Sequence, residues 1–173
     1  MPISHEPVME LIRASMDPAS RAAPRPVDSP AGRLVSAAAR ADTDENGTDR
    51  IFLLATGTTA AATGLTLVLA DETEQTVDEL LTAIEEASER GAAGGGPKLN
   101  ALPVIRALLA DQASAGEVLG STFARDQGEF VDLILELADF TATCITIRAA
   151  RHGTPVTETL ADLEEMLKEF VDA

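Results

Sequence analysis

The stretch EFVDLILELADFTATCITIRAAR, residues Glu129 to Arg151, decides how this chain folds. Its acids stand at Glu129, Asp132, Glu136 and Asp139, three, four and three residues apart, which is the return period of one helix face. Thr143 and Thr146 continue that line, and Phe130, Val131, Leu133, Ile134, Leu135, Leu137, Phe140, Ile145 and Ile147 occupy the rest. A helix with a single narrow polar stripe is covered by protein on its other sides. The spacing therefore predicts a central helix near 129–152. Arg148, Arg151 and His152 at its C-terminal end complement the helix dipole, and Gly153 stops it.

Working outward, Thr154-Pro155 opens a last helix that turns Val156, Leu160, Leu163, Met166, Leu167 and Phe170 inward. Upstream, Glu74 to Arg90 carries Val77, Leu80, Leu81 and Ile84 at helical spacing, and Gly91 ends it ahead of a glycine-rich loop at 91–97. Short helices are expected over 99–113 and 117–126, and an alanine-rich one over 31–42. Asp42 to Asp49 reads as a solvated acidic turn reversing at Asn46-Gly47. Ile51 to Ala70 has no charge over twenty residues, a length that spans a bilayer. Its weakly apolar TGTTAAATG middle and acidic flank argue instead for a helix of a water-soluble fold, with a β-hairpin as the competing reading. The expectation is an all-α bundle of about five to seven helices around the 129–152 helix. Residues 1–30, a short helix followed by a proline-rich linker, form a mobile N-terminal segment, and 31–173 form the helical domain.

Composition narrows the functions. Lys and Arg number 13 against 29 Asp and Glu, a net charge of −16, with residues 51–90 contributing −7 and residues 154–173 contributing −5. That field repels phosphate backbones and anionic lipid and suits a basic partner or a divalent cation. Five Phe with no Tyr or Trp leave little for base stacking. One cysteine, Cys144, excludes an intrachain disulfide, and two histidines, His5 and His152, argue against an imidazole-rich zinc site. No secretory signal is read at the N-terminus, so a cytoplasmic location is expected.

The acids raise one chemical possibility. Glu85-Glu86-Ala-Ser-Glu89 and Glu136-Leu-Ala-Asp139 are an E-E-x-x-E and an E-x-x-D motif on two helices of an all-α chain. The pair resembles the metal-binding pattern of the MazG-like nucleotide pyrophosphohydrolases. The resemblance implies that Glu85, Glu86, Glu89, Glu136 and Asp139 hold Mg²⁺, which bridges the phosphates and generates the attacking water. The leading expectation is different: a non-catalytic acidic interaction protein, without a cofactor, that binds a basic protein partner. Its contact residues would be Val8, Leu11, Ile12 and Met16 on the N-terminal helix, or Glu164 and Glu165 on the last one. Self-association is expected too, because Gly57, Gly64 and the threonines around them permit close helix pairing. A third possibility, an acidic decoy of a nucleic-acid surface, rests on composition alone.

Overall fold

A computed structural model describes residues 4–91 and 100–172, with the backbone alone at residue 21 and residues 88–91. Among the described residues there are nine α-helices and no strand. They are α1 (Glu6–Met16), α2 (Pro18–Ala22), α3 (Pro30–Asp44), α4 (Asp49–Glu72), α5 (Val77–Gly91), α6 (Ala101–Ala110), α7 (Gln112–Arg125), α8 (Gln127–His152) and α9 (Val156–Asp172). A 3-10 turn at Pro26–Asp28 leads into α3.

The hub is α8, as its pattern requires. It packs most extensively on α4 and also meets α1, α3, α6, α7 and α9. Asp126 caps it, Oδ1 accepting from the N–H groups of Gly128 (2.7 Å) and Glu129 (3.2 Å). Gly153 ends it in the left-handed region at φ 67°. Phe130, Ile134, Leu137 and Ile145 are wholly buried, while Glu129, Asp132, Asp139 and Thr143 stay exposed. Phe130 also meets Phe52 of α4 and Phe123 of α7, with ring centroids 5.0 and 5.3 Å away.

Residues 51–70 lie within α4, so the helix reading holds over the hairpin. It is the one described helix long and apolar enough to cross a membrane, with a mean hydropathy of 1.6, yet 72% of that apolar window is buried inside the fold. Three of its buried threonines bond to their own helix: Thr58 donates to the Leu54 carbonyl (2.6 Å), Thr59 to Ala55 (2.7 Å) and Thr66 to Ala62 (2.7 Å), whereas the buried Thr63 hydroxyl has no partner among the described residues. Satisfied in this way, a hydroxyl can be buried at little cost. The two glycines do permit close approach, but within the chain. A Cβ on Gly57 would collide with Val8 of α1, and one on Gly64 with Met166 of α9.

Several boundaries depart from the sequence reading for local reasons. α5 begins at Val77 because Thr76 and Glu79 form a reciprocal capping box, at 2.9 and 3.2 Å. The glycine-rich loop lies, after Gly91, outside the described residues. The largest departure concerns the N-terminus. Val8, Met9, Leu11 and Ile12 are at most 1% exposed, and α1 packs on α8, α3 and α4. A lone eleven-residue helix is marginal in water and gains its stability by burying its apolar face. The boundary drawn at residues 30 and 31 therefore marks no break in packing, and the expected linker is α2 and the 3-10 turn folded against α3 and α8.

Candidate functional site

The polar stripe of α8 forms one wall of an open cleft of about 900 Å³. Asp132, Glu136, Asp139 and Thr143 line it from α8, and Pro24, Pro26 and Ser29 line it from the proline-rich segment opposite. Ser15, at the end of α1, and Asn100, ahead of α6, complete its sides. The prolines hold that segment in extended and turn conformations, so it stands beside α8 without zipping onto it.

The serine hydroxyl protons at this site are already used. Ser15 donates to the Leu11 carbonyl (3.0 Å), Ser20 to Ala14 (2.6 Å) and Ser29 to Pro26, while Ser29 also accepts from the Gly32 N–H (2.9 Å). The rest of the described polar lining is mostly acceptor in character, with the Asp132 and Glu136 carboxylates and the serine lone pairs standing beside the Asn100 amide and the Thr143 hydroxyl. The described lining residues include no Lys, Arg or His. Such a lining is rich in hydrogen-bond acceptors of the kind that pair with charged donors.

Glu136 is the half-buried member. Burial pushes its carboxyl above the usual glutamate range, the backbone N–H groups of Ala101 and Asn100 draw it down, and the Asp139 and Asp132 charges push it further up. Its Oε1 accepts from the Ala101 N–H at 3.1 Å, capping the start of α6. A carboxyl whose folded pKa is raised contributes stability below its ordinary value of 4.5 and loses that contribution as pH rises through the folded value. Glu136→Gln should therefore raise the melting temperature at pH 7, and the gain should vanish below pH 4.5. Melts of both proteins at the two pH values check this. An equal gain at both, or a loss at pH 7, contradicts it.

The other residues singled out from the sequence lie elsewhere. Glu85 on α5 faces Arg106 at 3.5 Å, α5 packs on α4, and the Glu89 side chain lies outside the described residues. The structure thus brings Glu136 and Asp139 together with Asp132. Among the described residues it shows no group of three ligand atoms joining the two acidic motifs, Glu85 and Glu86 included. Val8, Leu11 and Ile12 are core residues, which corrects their reading as an open partner surface, and Met16 is half-buried at a smaller hollow with Pro18 and Thr146. On α9, Glu164 meets His5 (3.3 Å) and Lys168 (3.6 Å), and Glu165 meets Lys168 (3.0 Å).

Two basic and thiol groups also have settled roles. Arg148 does more than complement a dipole: it joins Glu72 of α4 (2.9 Å) to Thr159 and Asp162 of α9 (both 3.1 Å). Cys144 is 1% exposed, and burial pushes its thiol up to about 12, which leaves it inert. Sequence reasoning missed the cleft residues Ser15, Ser29 and Asn100. The only sign of them was the run of prolines opposite the acidic stripe.

Together these observations define an all-α bundle with an anionic cleft along its central helix. No protein family, curated protein or solved structure matches this chain.

Proposed function

We propose that this is a non-catalytic interaction protein whose α8 cleft takes a basic segment of a protein partner. The observation that supports it best is the exposed Asp132 carboxylate, beside half-buried Glu136, on one wall of a cleft whose described lining includes no Lys, Arg or His. A lysine- or arginine-bearing segment brings donors to the exposed Asp132 carboxylate, and the overall charge of −16 steers it inward. Glu164 and Glu165 already have the partners His5 and Lys168, so the seat of binding moves from α9 to α8. A cytoplasmic location accompanies this reading. Self-association is part of it too, although Gly57 and Gly64 pack inside the chain. It rests instead on Leu67 of α4, a large apolar side chain that is 48% exposed.

Truncation at residue 28 is not a usable test, because it strips α1 from the core. The double variant Asp132→Asn, Asp139→Asn leaves the core untouched. Binding of fluorescent lysine- and arginine-rich peptides should weaken at least tenfold in the variant and fall steeply with salt in the parent. Peptide binding that is unchanged in the variant, or absent in the parent, refutes the reading. Sedimentation of the parent beside Leu67→Ser tests self-association.

A further inference from the structure

The start of α1 and the middle of α9 meet at a second polar cluster, apart from the cleft. His5 stands at the start of α1 and makes no capping bond with its ring, and Glu6 opens the first turn. Packing of α1 into the core carries both to α9, where Glu164 waits 159 residues away in sequence. The ligand atoms of His5, Glu6 and Glu164 all lie within 4.8 Å of one another. Acidic groups alone would make only a patch of surface. The imidazole changes the chemistry, because a neutral ring nitrogen beside carboxylates is a donor set for a borderline first-row cation.

The spacing fits such an ion. His5 Nε2 and Glu164 Oε1 are 3.3 Å apart. Two ligands bound at Zn–N and Zn–O lengths near 2.1 Å in a tetrahedral site stand about 3.4 Å apart, so this pair already has the separation one ion would impose. His5 and Glu164 are partly buried, at 19% and 35% side-chain exposure, and so are held in place, while Glu6 at 59% is free to swing inward. The cations now nearest are Lys168 Nζ, 3.6 Å from Glu164 Oε1, and Arg13 Nη1, 3.9 Å from Glu6 Oε1. Both sit on exposed, flexible side chains that can move aside.

We propose that His5, Glu6 and Glu164 form a three-ligand site for a zinc-class divalent cation, with water completing the coordination, and that the ion clasps α1 to α9. The site holds the helix that carries Val8, Met9, Leu11 and Ile12 onto the bundle. Binding to the folded chain alone then raises its stability.

The test uses tag-free full-length protein, since an added histidine tag would mask the result. Isothermal titration with Zn²⁺ should show one saturable site per chain, and Co²⁺ should give a visible d–d band. His5→Ala and Glu164→Gln should each weaken binding at least tenfold and abolish the band. Glu6→Gln, at an exposed position that leaves the fold intact, should also weaken it. His152→Ala should bind like the parent. No saturable site in the parent, unchanged binding in His5→Ala or Glu6→Gln, or a loss that follows His152 instead, overturns the proposal.

Discussion

Phe130→Ala is expected to cost the domain about 3–5 kcal/mol, the range for removing a large aromatic side chain from a packed core. Phe130 is 0% exposed and is the largest of the wholly buried side chains. Its ring packs on Phe52 (5.0 Å, tilted by 40°) and on Phe123 (5.3 Å, nearly perpendicular), and those two rings also touch at 5.1 Å. Edge-on and tilted contacts add to the area buried, so truncation loses both transfer energy and ring–ring attraction. The three rings join α4, α7 and α8 near the start of α8, and the cavity left behind would be shared by three helices that cannot all close upon it. Since a domain of this kind holds about 5–15 kcal/mol in total, the variant would sit near its unfolding midpoint in mild denaturant. Urea unfolding followed by circular dichroism measures the loss. Phe130→Leu, which keeps most of the volume, should recover more than half of it. A loss below about 1 kcal/mol for the alanine variant would mean that the cluster does not hold α7 to the core.

Asp42→Ala should cost about 2–3 kcal/mol, an unusually large effect for an acid in a loop-like DTDENGTD run. Asp42 lies near the end of α3 with 5% side-chain exposure. Its Oδ1 accepts from the Arg50 N–H (3.1 Å) and its Oδ2 from the Ile51 N–H (2.9 Å), which are orphan donors of the first turn of α4. Thr48 precedes α4 but makes no capping bond, so the cap comes from the preceding helix across the turn. The turn itself depends on Asn46, which adopts φ 55°. A carboxylate at a helix N-terminus also meets the positive end of the helix dipole. Removing it leaves two donors unpaired and separates α3 from α4. Arg50 would keep its paired contacts with Glu45 at 2.7 and 2.9 Å and lose its 3.5 Å ion pair with Asp42, so the damage falls on the cap and on that exposed pair. Asp42→Asn, which retains one acceptor, should lose roughly half as much. Equal stability of the alanine variant and the parent in urea would refute the cap.

The acidic run at 42–49 illustrates what the sequence could and could not show. Its composition announces a turn, and a turn is there. Nothing in it distinguishes Asp42, whose oxygens serve backbone groups eight and nine residues ahead, from Asp44, which stays exposed. The same holds at the far end of α8. Arg148 reads as a dipole partner because helix position is local information, whereas its bonds to Glu72 and Asp162 need two other helices to arrive first. The site divides likewise. The α8 carboxylate stripe is legible from its spacing, but the opposite wall reads only as a linker, since prolines signal interrupted helix without saying what the interrupted chain lies against.

Periodicity alone determined the helices α5, α8 and α9, their inward faces and the central place of 129–152, because a side chain's angular position on a helix follows from its number in the chain. Tertiary structure alone decided that α1 belongs to the core, that Gly57 and Gly64 admit Val8 and Met166 rather than a second molecule, and that the α8 acidic stripe lines a cleft while Glu85 of α5 faces Arg106. Those outcomes depend on which faces meet. An apolar face specifies that it must be covered, and only the packing of the whole chain settles by what.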